Sequence, residues 1–169
     1  LGSTWLVIKS EGDLLAWSRR VGVMAAGVVL LMMAIVSFWV PALDAAAADQ
    51  WGLRYPEVDW SKLLPLTPIP VLVGISFVQI VRGLRGGATY SPHIWAMVLF
   101  LLGFIGLLVG IYPYLVPYDL TFTQAAAAPN SQGLLLVGAL VMLPIILAYT
   151  GYVYWVFRGK VAADAGYHH

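Results

Sequence analysis

The chain of 169 residues contains no cysteine, and only 10% of its residues are charged. Without cysteine, disulfide bonds, thiolate catalysis and cysteine-ligated metal sites are excluded. A soluble domain carries about 25% charged residues, so this charge content is atypical of a soluble protein. The formal net charge of +1 argues against the concentrated basic surface that a nucleic-acid partner would need. The sequence therefore predicts neither thiol chemistry nor nucleic-acid binding.

Acidic and basic residues are also absent from four long apolar stretches. These stretches are Val21–Leu43, Leu63–Val81, Ile94–Leu115 and Gly133–Phe157. Each is about as long as a membrane-spanning helix, which needs roughly 17–25 residues. Ionisable groups inside a membrane usually mark proton paths, ligand sites or counter-ions, and these stretches have none. We therefore predict an all-α integral membrane protein, a four-transmembrane-helix bundle built for packing rather than for proton or metal chemistry.

Two short segments precede the first span. Leu1–Ile8 is apolar but too short to cross a membrane, so we interpret it as the stump of a fifth helix and expect the chain to be a fragment of a longer polypeptide. Lys9–Arg20 is charged and mildly amphipathic, which is typical of an interfacial segment. The predicted organisation is a helix end and cytoplasmic connector over residues 1–20, then a four-helix bundle with a cytoplasmic tail over residues 21–169.

Lysine and arginine predict the orientation of the spans. Seven of the nine basic residues lie before the first span, after the second span or in the tail: Lys9, Arg19, Arg20, Arg82, Arg85, Arg158 and Lys160. The loop Asp44–Lys62 holds four of the eight acidic residues, and the loop Val116–Gln132 has no lysine or arginine. By the positive-inside rule, both ends and the connector at Arg82 are predicted to be cytoplasmic.

Small residues in the third span predict a helix-packing surface. Gly103, Gly106 and Gly110 lie in its body, and the last two form a G-x-x-x-G pair. Small residues at this spacing let two helix backbones approach closely. We therefore predict that these three glycines form a packing seam.

A few polar residues near the spans are candidates for chemistry. His93, at the entrance of the third span, is either an axial haem ligand or an interfacial histidine, and the second interpretation is favoured. Gln79 either bonds to another helix, which is the commoner use, or contacts a polar ligand. The methionines are explained as packing residues. The acidic residues of the Asp44–Lys62 loop lack the spacing of a calcium-binding loop and are interpreted as a solvated surface.

Four stretches of the chain carry a resemblance to a known family. They are LGSTWLVIKSEGDL, LTPIP, GIYPYLVP and SQGLLLVGALVMLPIILAYTGYVYWVFRGKV. In this order they resemble the C-terminal half of subunit II of cytochrome bd-type quinol oxidases, in the cyanide-insensitive branch. The last stretch is the most specific, because the LPIILAYT core, the aromatic run and the RGKV exit follow one another as in the family.

The resemblance implies a place in a complex that oxidises quinol and reduces dioxygen in the bacterial cytoplasmic (inner) membrane. In that family the b-type haems and haem d belong to subunit I, and subunit II has no haem ligands. The acidic motifs of subunit II lie in its N-terminal half, and no position here matches them. We therefore expect no catalytic, cofactor-binding or metal-binding residue on this chain. The implied partners are the haem-bearing subunit I, membrane lipids and a small single-span accessory subunit. The resemblance is also compatible with a quinone or lipid that binds this subunit in a structural role.

The predicted function is that of a haem-free subunit that supports the haem subunit structurally. Two alternatives belong to other classes: a small transporter or channel module, and a stand-alone assembly scaffold. Transporters often have helices interrupted near the membrane midplane. Pro144 in the fourth span and the proline-rich LLPLTPIP entry of the second, which predicts an irregular helix start, are the features that favour a transporter. A chain that is stable without partners would favour the scaffold.

Overall fold

The computed structural model describes residues 1–43, 45–53, 58–116 and 119–159. In chain order its elements are α1 (Gly2–Lys9), α2 (Gly12–Leu43), α3 (Ala45–Gln50), α4 (Trp60–Leu66), α5 (Pro68–Arg85), α6 (Ser91–Ile111), β1 (Tyr114–Val116), β2 (Leu120–Thr121) and α7 (Pro129–Val156). Within these described ranges, four helical stretches are long and apolar enough to cross a membrane: Gly12–Leu43, Trp60–Arg85, Ser91–Ile111 and Pro129–Val156. The predicted all-α membrane class with four spans is therefore confirmed. The described parts of Leu1–Tyr112 and Pro113–Lys160 form two compact units.

The first spanning helix begins at Gly12, well before the apolar stretch that starts at Val21. Ser10 ends α1 in an extended conformation, and Gly12 has a φ of 61°, so the backbone changes direction between α1 and α2. At about 1.5 Å per residue, the 32 residues of α2 reach about 48 Å. Because a hydrocarbon core is about 30 Å thick, the charged first turns of α2 extend beyond it.

The second span consists of two helices that meet at Thr67. Pro65 lies inside α4 and Pro68 begins α5, and each proline lacks an amide donor for the helical hydrogen-bond ladder. The Thr67 hydroxyl donates to the Leu64 carbonyl at 2.7 Å and so satisfies one carbonyl at the junction. The irregular entry predicted from the clustered prolines is present in the structure.

The core of the first unit lies where α1, α2, α5 and α6 meet. Its buried apolar residues are Val7, Ala26, Val73, Ile80, Leu84, Ala96, Leu99 and Leu102. Two glycines allow the helices to come this close. A Cβ atom at Gly22 would lie 3.0 Å from Leu84 Cδ1, and one at Gly83 would lie 2.9 Å from Pro92 Cγ. The α2–α5 and α5–α6 contacts therefore depend on the absence of a side chain at these positions.

The described residues between α2 and α4 include the short helix α3. Ala45–Ala48 form part of this helix. The Lys62 ammonium lies 3.3 Å from Asp49 Oδ2, which joins α4 to α3. Asp59 caps α4, because its Oδ1 accepts from the Ser61 amide at 3.0 Å and from the Ser61 hydroxyl at 2.6 Å. Three charged residues of the acidic loop lie outside the described residues: Asp44, Arg54 and Glu57.

The third span ends at Ile111, four residues before the apolar stretch ends. Tyr112 has a ψ of 137° because the proline that follows it disfavours helical dihedrals. In the second unit, β1 and β2 pair antiparallel, with Tyr114 opposite Thr121. The long α7 contains Pro144, and none of its residues is buried.

Candidate functional site

Polar groups with possible chemistry lie at the ends of the spans. The described residues contain no group of three or more histidine, cysteine, aspartate or glutamate side chains that could hold a metal ion. The four charge-free stretches supply only hydroxyls, ring N–H groups and the Gln79 amide. Candidate functional residues are therefore the histidine and arginines of the first unit, together with the glycines of α6.

His93 contacts α1. Its Nδ1 atom lies 3.0 Å from the Thr4 hydroxyl oxygen, and its ring centroid lies 5.3 Å from that of Trp5. Because Thr4 donates its single hydroxyl hydrogen to the Leu1 carbonyl at 2.9 Å, it accepts from His93, so Nδ1 of the imidazole carries a hydrogen. The arrangement attaches the N-terminal turn of α6 to α1 and accounts for a half-buried histidine without a haem.

Arg19 of α2 contacts the turn between α5 and α6. Its Nη1 donates to the Leu84 carbonyl at 3.0 Å, and its Nη2 donates to the Gly87 carbonyl at 2.8 Å. The last carbonyls of a helix have no partner within the helix and carry partial negative charge. The Arg82 carbonyl accepts from the Gly86 amide, and the Gly83 carbonyl accepts from the Ala88 amide. Arg19 supplies the donor for the next carbonyl along the helix, that of Leu84.

From the sequence, Arg19 indicates the orientation of the spans but not a contact with another helix. In the sequence, Arg19 lies 65 positions before Leu84 and 68 positions before Gly87, so its capping role is a long-range contact. The available sequence signal was the glycine-rich end of α5, where few side chains can satisfy carbonyls. That signal indicates the need for a donor but does not identify which residue provides it.

A shallow, open depression of about 400 Å³, which we call the α5 groove, lies on one exposed face of α5, and α5 alone supplies its lining. Its lining residues are Pro70, Val71, Gly74, Ile75, Val78, Gln79 and Arg82. The opposite face of α5 is buried against the bundle, as at Ser76 and Ile80. Among the described residues, none forms a hydrogen bond with the Gln79 side chain, so the expected use of this amide between helices is not seen there. The structure instead places it beside a groove.

The three glycines of the predicted seam face different elements. A Cβ atom at Gly103 would lie 3.4 Å from Met33 Cε, and one at Gly106 would lie 3.9 Å from Ile69 Cγ2. At Gly110 it would lie 3.6 Å from the Trp51 ring. A Cβ atom at any of the three would therefore meet a side chain at an ordinary contact distance, and the role of the three as a seam stays a prediction.

Comparison with known proteins gives a family match along most of the chain. The model of the family described as cytochrome bd terminal oxidase subunit II matches residues 1–157. Similar curated proteins are each named cytochrome bd-I ubiquinol oxidase subunit 2, from Escherichia coli strain K12 and from Escherichia coli O157:H7. Both are 25% identical over 186 residues, which cover 96% of this chain and 49% of the relative. The chain thus spans about half the length of the curated relatives it matches.

Proposed function

Because the chain belongs to the cytochrome bd terminal oxidase subunit II family, we propose that it is part of the haem-free subunit of a quinol-oxidising, oxygen-reducing membrane complex. The observation that carries the proposal is the family match over residues 1–157. The charge-free spans support it, because they provide packing surface and membrane anchoring but no proton or metal site. The chain would therefore act by supporting a haem-bearing partner.

The proposed complex distributes its chemistry between subunits. The b-type haems, haem d and the quinol-oxidising site would belong to the larger partner subunit, and this chain would contribute no axial ligand. The contact of His93 with Thr4 supports this division, since that histidine already has a structural role. A small single-span subunit and a structural quinone would be further components.

The proposed topology has both chain ends and the α5–α6 turn on the cytoplasmic side of a bacterial inner membrane. The contacts of Arg19 with Leu84 and Gly87 support it, because they bring the basic start of α2 and the basic end of α5 to one end of the unit. The ion pair between Asp49 and Lys62 belongs to the loop at the other ends of those helices. We propose residues 1–20 as a helix end with its connector and residues 21–169 as the bundle with its tail.

The test is purification of the chain in a gentle detergent from cells that make it naturally. Mass spectrometry would identify the co-purifying subunits, and a reduced-minus-oxidised visible spectrum would reveal bound haems. We expect a larger subunit that carries b-type and d-type haem bands. A haem-free chain alone, under conditions that preserve such complexes, would overturn the proposal and favour a transporter module or a scaffold.

A further inference from the structure

One face of α5 combines an apolar groove with positive charge at one end. The apolar side chains of the groove are well exposed, with Val71 at 59%, Ile75 at 44% and Val78 at 49%. At the C-terminal end of the groove the lining changes to Gln79 and then Arg82. The groove therefore has the polarity profile of an amphiphile, with a long apolar part and a short cationic end.

Two arginines carry the positive charge at this end. Arg82 and Arg85 are exposed, and among the described residues neither side chain has a hydrogen-bond or ion-pair partner. The sequence from residue 63 to residue 91 contains no aspartate or glutamate. Arg19, by contrast, is used by two backbone carbonyls. An anion that pairs with Arg82 must therefore come from outside this part of the chain.

The spacing along α5 suits a lipid that lies parallel to the helix. With a rise of about 1.5 Å per residue, Gln79 lies about 4.5 Å deeper than Arg82, and Pro70 lies about 13.5 Å deeper still. An arginine at the end of a span extends its guanidinium toward the head-group level, where lipid phosphates lie. The Gln79 amide, one turn deeper, can donate to an ester carbonyl, and the remaining groove is apolar.

We infer that the α5 groove, defined by Pro70, Gly74, Val78, Gln79 and Arg82, is a binding site for one anionic phospholipid. The phosphate pairs with Arg82, and the nearby Arg85 adds to the positive field. One acyl chain lies along Gly74, where the missing side chain deepens the groove. A helix of a partner protein would need an acidic residue at the level of Arg82, and a neutral ligand would leave the arginine unpaired. This inference goes beyond the proposed oxidase role and does not depend on it.

The test measures lipid retention by native mass spectrometry on the full chain, together with any subunits that co-purify. The detergent is supplemented with phosphatidylglycerol or, in a parallel sample, phosphatidylcholine. We expect one tightly retained phosphatidylglycerol and weaker retention of phosphatidylcholine. In Arg82→Gln, phosphatidylglycerol affinity should fall about fivefold, which is the usual effect of one basic residue at an anionic surface. Arg158→Gln is the matched control, because it makes the same charge change just after the end of α7, and it should leave phosphatidylglycerol retention unchanged.

A second pair of variants tests the groove itself. A Cβ atom at Gly74 would meet no atom within 4 Å, so Gly74→Leu should fold normally and fill the groove. Gly138→Leu on α7 is the control, because that position is equally open. We expect lipid loss in Gly74→Leu only. Three outcomes would overturn the inference. The first is equal retention of both lipids with no effect of Arg82→Gln. The others are that Gly74→Leu displaces a neutral quinone, or a protein subunit, instead of the phospholipid. The readout is bound lipid, so a failure of the proposed oxidase role, seen as absence of haem or oxidase activity, would be distinguished from a failure of this inference.

Discussion

The guanidinium of Arg19 lies 3.0 Å from the carbonyl oxygen of Leu84, so a residue near the start of one spanning helix caps the end of another. The second bond, to Gly87, reaches a glycine with a φ of 82°, a conformation that other residues rarely adopt. The turn between α5 and α6 is therefore held by its own backbone and by α2.

Arg19→Gln should destabilise the first unit. The substitution removes a charged, two-pronged donor and leaves the Leu84 carbonyl without its partner, which costs about 1.5–3 kcal/mol for a hydrogen bond to a charged group. Thermal unfolding in detergent, followed by circular dichroism, would measure the change. Arg20→Gln is the control, because Arg20 is exposed and next to it in sequence. Equal midpoints for the two variants would contradict the prediction.

Gly83→Ala should also destabilise the protein. The added Cβ atom would lie 2.9 Å from Pro92 Cγ, and the ring of Pro92 is fully buried and cannot rotate away. Overpacking of this kind costs about 1–3 kcal/mol. Gly74→Ala on the same helix has open space and should be neutral or stabilising, since alanine favours helices by about 1 kcal/mol over glycine. The same unfolding assay would test both, and a stable Gly83→Ala would show that α5 and α6 can separate without loss.

Gly106→Leu should weaken the packing of α6. The larger side chain would meet Ile69, whose Cγ2 lies 3.9 Å from a Cβ atom built at Gly106. Assembly and thermal stability of the purified complex should both fall, whereas Gly138→Leu on α7, with nothing within 4 Å, should change neither as strongly. If Gly106→Leu leaves assembly and thermal stability unchanged, the predicted glycine seam has no packing role.

Asp59 should make a small part of the stability depend on acid pH. The hydrogen bond from the Ser61 side chain is the main cause that lowers the pKa of Asp59 below its ordinary value of 3.8. A carboxyl whose pKa is lower in the folded state stabilises the fold above its unfolded pKa, and this contribution is lost as pH falls through the folded pKa. The thermal midpoint of the natural chain should therefore fall more between pH 5 and pH 3 than that of Asp59→Asn. Identical shifts would indicate that the cap does not contribute.

The sequence predicts the spans well because hydropathy and charge are local properties. The stretch Val21–Leu43 lies wholly within α2, but the charged residues before it concealed the true start at Gly12. Hydropathy predicts the end of α6 too late, because apolar residues continue beyond Ile111 while Pro113 ends the helix. Hydropathy indicates which residues tolerate lipid, whereas backbone geometry decides where a helix stops.

The contacts between helices were harder to predict. Gly22 and Gly83 make the close approaches to Leu84 and Pro92. Gly22 belongs to no G-x-x-x-G pair, and Gly87, the partner of Gly83 at that spacing, lies beyond the end of α5. Their importance depends on which side chain the opposing helix presents, and a single sequence does not contain that information. The groove beside Gln79 lies on α5 alone, and a single sequence does not show which face of a helix remains uncovered, although Gln79 itself is a candidate for a polar ligand.

The Arg19 cap also has a consequence for the order in which the chain is built. The Leu84 carbonyl receives its donor from a helix that is synthesised 65 residues earlier. Until α5 packs against α2, the Leu84 carbonyl at the end of α5 lacks its arginine donor and depends on water. Since α2 is already in place when α5 and α6 emerge, synthesis in the natural direction shortens the life of the uncapped intermediate. A circularly permuted chain that makes α5 and α6 first should remain longer in that state and be degraded more readily during insertion.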